Sequence, residues 1–197
     1  MKTITKFAIA ALFTGLLSAS AFAGSAKPFA GVVIVPASAP AELQAPAQEA
    51  PAFKRGKIIS YKNQAKPGSI IINTKKNELY FILGANKAVM YKVATAKKGF
   101  EWNGTHQVSA KTRWPDWRPP ADMRKRRPDL PVFMAGGPDN PLGARAIYLG
   151  SSIYRIHGTN EPSSIGKAAS SGCIRMLNQD VSELYQFVKV GASVTVL

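Results

Sequence analysis

The chain is poor in reactive side chains. Cysteine occurs once and histidine twice in 197 residues. A single thiol cannot close an intrachain disulfide, so no disulfide framework staples this fold. That cysteine is therefore either small core filler or a residue kept for its reactivity. No run of Cys, His and acidic residues has metal-ligand spacing, so neither metal nor other cofactor is expected. Acids are also scarce, 11 against 26 basic residues, for a net charge of +15. Apolar runs long enough to span a bilayer are missing.

What is present begins with an address. Met1 to Lys6 carries two lysines and no acid, Phe7 to Leu17 is apolar, and Ala21-Phe22-Ala23 offers small residues at cleavage-site spacing. This three-part pattern predicts a cleaved secretory signal over 1–23, with no transmembrane segment left after its removal. An exported, strongly basic chain belongs beside anionic envelope polymers. Export argues against nucleic acid, the other common partner of such charge. Residues 24–52 read as a linker, with Ala and Pro dense from Ala37 to Pro51. Gly31 to Val35 is either a short strand or part of that tether.

The folded domain is expected over 53–197. Ser69 to Asn73, Glu78 to Leu83 and Ala88 to Thr95 are strand-like runs joined by polar turns, which predicts an antiparallel meander. Thr105 to Ala110, Ala146 to Leu149 and Tyr154 to His157 read as further strands, and Ser163 to Ala169 as the place for a helical turn. Val181, Leu184, Tyr185 and Val188 recur on one helical face, with Asn178 as the expected N-cap and Gly191 as the stop. Ser193 to Leu197 closes as a strand. Between Arg113 and Gly143 proline is too dense for helix interior or central strand. Trp114, Trp117 and Phe133 favour a wall or lid over a groove there. Arg124 to Arg127 reads as a solvated basic face.

The chemistry concentrates between Ile156 and Met176. His157-Gly158-Thr159 is followed, after a loop, by Ser170-Ser171-Gly172-Cys173-Ile174-Arg175. A thiol with an ordinary pKa is mostly protonated at neutral pH and needs a base, usually histidine. His157 is the candidate, because His106 reads as a plain strand residue. Gly158 leaves room beside the ring. Gly172 lets a carbonyl approach the N–H groups near Cys173, a potential oxyanion hole. The Gly158 carbonyl is a candidate for fixing the imidazole tautomer. In a strand, Arg175 shares the face of Cys173. Ser163-Ser164 and Ser170-Ser171 read as ordinary loop chemistry. Spacing alone leaves a Cys–His pair and a structural cysteine both open.

These motifs resemble the active-site signature of the L,D-transpeptidase (YkuD-type) catalytic domain: a His-Gly, a loop, then Ser/Thr-x-Gly-Cys-x-Arg/Asn. Gly136 to Gly143, Tyr148 and the terminal helix and strand extend the likeness. Many members have histidine where this chain has Ser171. The resemblance implies a mostly β, sandwich-like fold with a long irregular loop over the groove and a C-terminal helix. It implies Cys173 as nucleophile and His157 as base, with Gly158, Ser171, Gly172 and Arg175 binding or orienting. Peptidoglycan stem peptides would be the substrate, and another stem, an outer-membrane protein or a free D-amino acid the acceptor. A periplasmic or cell-envelope monomer reactive with carbapenems is expected. A cysteine peptidase using water as acceptor and a non-catalytic basic wall-binding protein are the alternatives.

Overall fold

The computed structural model describes residues 52–197. The leader, the 31–35 segment and the linker up to Pro51 lie outside the described residues.

The chain runs β1 (Lys57–Ser60), β2 (Ile70–Asn73), β3 (Glu78–Gly84), β4 (Lys87–Lys92), β5 (Thr95–Ala96) and β6 (Gly104–Arg113). It continues through α1 (Ala121–Arg126), β7 (Arg145–Leu149), β8 (Arg155–His157), a 3-10 turn at Pro162–Ser164, β9 (Ala168–Ser170), β10 (Ile174–Arg175), α2 (Asn178–Phe187) and β11 (Ser193–Val196). The expected meander is present, with β2 antiparallel to β3 and β3 to β4. The closing strand β11 lies between β2 and β6, parallel to the first and antiparallel to the second.

The sandwich is one sheet that turns over on itself. Nine strands form a continuous order, β1-β4-β3-β2-β11-β6-β7-β8-β10. The first half of β6 pairs with β11 and the second half with β7. Its pairing with β7 slips between Val108 and Ala110. Such a bulge bends a strand and increases its twist. Ile70, Leu79 and Val89 from one half then share a core with Ile147, Ile156 and Ile174 from the other, and with Val181, Leu184 and Val188 of α2. Burying an aliphatic side chain of this size contributes about 2 kcal/mol.

Two details differ from the sequence reading, and a third, the helical turn expected in 163–169, is present and followed by a strand. Asn178 does not cap α2: Leu177 holds that position without a side-chain cap, and the Asn178 amide is engaged elsewhere. A short helix, α1, forms inside the proline-rich excursion, starting directly after Pro120. Proline is tolerated at a helix start, where an N–H has no partner to lose. The Ser163–Ala169 region holds a 3-10 turn and then a strand, β9, which pairs with β5.

Asp180 and Glu183 of α2 suit a helix N-terminal half by charge, and the structure gives them partners. The Glu183 carboxylate accepts from the N–H groups of Lys54, Arg55 and Gly56 and from the Tyr91 hydroxyl. Burial pushes its carboxyl up, but these donors win and hold it below the usual carboxylate range. Arg55 reaches Asp180 at 2.7 Å, and Phe53 stacks on Phe187 with ring centres 3.8 Å apart. The start of the domain is thus latched to α2. Glu183→Gln keeps the shape and loses the charge. It is expected to cost about 2–3 kcal/mol in urea unfolding, whereas Asp180→Asn at the more exposed pair costs under about 1 kcal/mol.

Candidate active site

β8 and β10 run parallel, with Ile174 opposite Ile156 and Arg175 opposite His157. Ile156 and Ile174 are both in the core. Side chains alternate along strands, so Arg155 and His157 lie on the other face, as do Cys173 and Arg175. Stepping back one residue in this register sets Cys173 beside Arg155. One short parallel pair therefore gathers a thiol, an imidazole and two guanidiniums.

His157 is 4% exposed. Its Nδ1–H donates to the Gly158 carbonyl at 2.6 Å, which leaves Nε2 as the basic nitrogen. Burial drives the imidazole pKa down to about 3. The Gly158 carbonyl opposes that shift, and the charges of Arg175 and Arg155 add to it. With its pKa held that low, the buried ring is uncharged at physiological pH.

The turn that holds His157 is built on Asn178. Its Oδ1 accepts from Ala144 N–H at 2.9 Å and Thr159 N–H at 3.1 Å, and its Nδ2 donates to Thr159 O at 3.0 Å. A Cβ on Gly158 or Gly143 would fall 2.1 Å from Asn178 Oδ1. The sequence reading took Gly158 to leave room beside the ring. The space is taken by Asn178.

Cys173 is half-buried, and its sulfur lies 3.8 Å from the Ile153 carbonyl. Burial pushes its thiol pKa up, while Arg155 and Arg175 pull the other way. Gly172 sits at φ +113°, and a Cβ there would meet the Tyr154 ring at 2.7 Å. Glycine is required on both counts. Ser170 ties the turn: its hydroxyl accepts from Gly172 N–H at 3.1 Å and donates to Cys173 O at 2.5 Å. The Gly172 N–H is thus committed, which leaves the Cys173 N–H as the candidate oxyanion donor. Ser171 makes no hydrogen bond with the described residues. Arg175 forms an ion pair with Glu161 at 2.9 Å.

The proline-rich excursion reaches this site from two sides. Its end, at Gly143, presses on Gly158, and Arg126 of α1 lies over the Phe100 ring at 5.1 Å. Phe100 in turn neighbours Gly172. Asn140 shapes the segment, donating to the carbonyls of Pro115, Met134 and Ala135. Trp117 packs inward, while Trp114 and Phe133 stay exposed. An open groove of about 410 Å³, lined by Pro138, Thr159, Asn160 and Leu177 among others, lies next to the His157 turn. No group of three or more potential metal ligands stands together among the described residues.

Residues 67–196 match the family model described as the L,D-transpeptidase catalytic domain, YkuD. The chain belongs to this L,D-transpeptidase family. It is 36% identical over 135 residues to the probable L,D-transpeptidase ErfK/SrfK of Escherichia coli K12, covering 65% of this chain and 43% of that protein. It is 38% identical over 133 residues to the putative L,D-transpeptidase YqjB of Bacillus subtilis, covering 64% and 69%. The chain therefore spans under half of the first relative's length. Among solved structures, L,D-transpeptidase 3 of Mycobacterium tuberculosis superposes with a TM-score of 0.53 at 14% identity, covering 66% of this chain and 60% of that one. The Enterococcus faecium L,D-transpeptidase gives 0.54 at 14%, covering 68% and 50%. At such identities these two speak for the fold alone.

In this L,D-transpeptidase domain the sequence reading missed Arg155, Ser170, Asn178's true role and the pair Trp102–Tyr154. Arg155 was legible, since strand alternation places it on the face of His157. Its Nε is buried without a partner. Trp102 carries no local signal, because it meets the site only through the fold. His106, set aside as a base, packs its ring edge-on to Trp102 at 5.4 Å.

A buried neutral histidine has a consequence for stability. The unfolded chain takes up a proton near the ordinary histidine pKa, and the folded one only near the depressed value. Between the two the unfolded state binds more protons, so stability falls as pH drops. From about pH 7 to about pH 5, wild type is expected to lose about 2 kcal/mol more than His157→Gln in chemical unfolding. Equal pH slopes for the two proteins would contradict the buried, neutral ring.

Proposed function

We propose that this domain is a peptidoglycan L,D-transpeptidase that carries an acyl group on Cys173. The observation that supports the reading is the β8–β10 register, which pairs Arg175 with His157 and, by strand alternation, turns the preceding Cys173 toward the same face. In the first half-reaction His157 Nε2 takes the thiol proton. The sulfur attacks the carbonyl at the L-centre of the diamino acid in a tetrapeptide stem. The oxyanion forms opposite the Cys173 N–H. The C–N bond to the terminal D-Ala then breaks, and His157 returns its proton to the leaving amine. A thioester remains. In the second half-reaction an amine attacks the thioester, His157 takes the amine's proton, and the thiolate leaves and is reprotonated. One amide exchange is thus split into two easier steps. Arg155 and Arg175 supply positive potential for the thiolate that a neutral imidazole does not.

The acceptor amine belongs to another stem, giving a 3→3 cross-link, or to an outer-membrane protein. Site of action is the periplasm or cell envelope, supported by the leader pattern and the surplus of basic residues. Among the described residues no helix is long and apolar enough to cross a membrane.

Incubation with a disaccharide-tetrapeptide tests the reading by its products. A cross-linked dimer is expected; tripeptide alone would mean water is the acceptor, and no reaction would leave a basic wall-binding protein. Intact-protein mass spectrometry with a carbapenem should show one adduct on wild type and none on Cys173→Ala. His157→Ala should slow that acylation by about 10²-fold or more.

A further inference from the structure

Four backbone polar groups belong to Gly172 and Cys173. Three are held: Gly172 N–H by Ser170 Oγ, Cys173 C=O by the same hydroxyl, and Gly172 C=O by the indole N–H of Trp102 at 2.6 Å. The fourth, the Cys173 N–H, has no acceptor among the described residues. Gly172 C=O and Cys173 N–H belong to one peptide unit. In a planar trans peptide these two groups point in opposite directions. Whatever fixes the carbonyl therefore aims the N–H.

Trp102 is itself held firmly. Its ring stacks on Tyr154 with centres 4.1 Å apart and planes 3° from parallel, and His106 meets its face edge-on. The Tyr154 ring also fills the place where Gly172 would carry a side chain. Indole, phenol and the glycine backbone form one packed unit behind the nucleophile. The strand face in front holds Arg155, His157 and Arg175.

We propose that Trp102 is a positioning residue for the acyl-transfer step. Its N–H fixes the Gly172 carbonyl and so points the Cys173 N–H at the developing oxyanion. The same bond polarises the peptide, because an amide whose oxygen accepts a strong hydrogen bond becomes a better donor at nitrogen. A preorganised donor of this kind acts on the tetrahedral intermediate and on no step without an oxyanion. The assignment rests on the acyl-transfer reading above and adds the group that aims its oxyanion donor.

The test compares two reactions of the same thiol. Acylation by a carbapenem or a tetrapeptide stem passes through an oxyanion. Alkylation by iodoacetamide occurs at a saturated carbon and does not. Trp102→Phe keeps the ring stack and loses the N–H. It is expected to slow acylation about tenfold, less than outright deletion of an oxyanion donor, with alkylation within about twofold of wild type. Should the Phe variant fail to fold, a tryptophan analogue with sulfur in place of the indole N–H, inserted at position 102 alone, makes the same comparison. Equal acylation rates in wild type and variant would overturn the role of Trp102 and leave the transpeptidase reading standing. A parallel loss of both reactions would make Trp102 a structural support of the thiol instead. Absence of any acyl-enzyme on wild type would remove the parent reading and this one together.

Discussion

The site depends on one register. Two residues of β10 lie against three of β8, and core burial of Ile156 and Ile174 fixes which pairs with which. A shift by one position would put an isoleucine out and His157 or Arg175 in, because strand faces alternate. The penalty of exposing that apolar surface is what keeps Cys173, His157 and Arg175 on the opposite face. The placement of these side chains is therefore enforced by two core isoleucines.

Around that pair, the fold builds two rigid turns. Asn178 serves the His157 turn, using the first residue of α2 to hold the segments before β7 and after β8. Ser170 and Trp102 serve the Cys173 turn. Both turns contain a glycine whose missing side chain is filled by a neighbour, Asn178 in one case and Tyr154 in the other. The glycines of the signature are there because packing leaves no volume for a Cβ. Electrostatics completes the picture. Burial pushes the imidazole pKa down and the thiol pKa up, and the guanidiniums of Arg155 and Arg175 pull the thiol back down.

Much of this was legible in the sequence. The meander β2–β4, much of β6 and the closing β11 follow from strand-like runs bounded by polar turns, and α2 from a 3.6-residue period; burial alternates cleanly in β2 and β11. The expectation that His157 and Cys173 belong to one site came from a signature whose residues are local. What escaped were interactions that only tertiary structure creates. Asn178 has the composition of an N-cap, yet its amide finds better partners 19 and 34 residues away. Trp102 meets Gly172 70 positions along the chain. Strands of two residues, such as β5 and β10, are too short for any periodicity to show. Proline density correctly signalled an irregular excursion but concealed α1, which begins where proline does no harm.

The central claim is that a buried, neutral imidazole stands ready to take the Cys173 proton. Ring-nitrogen NMR of His157 in the free enzyme tests it most directly. The account predicts one protonated nitrogen, Nδ1, and an unprotonated Nε2 that keeps its shift from about pH 8 down to about pH 5, below the ordinary histidine pKa. A doubly protonated ring at neutral pH, paired with a thiolate, would contradict it.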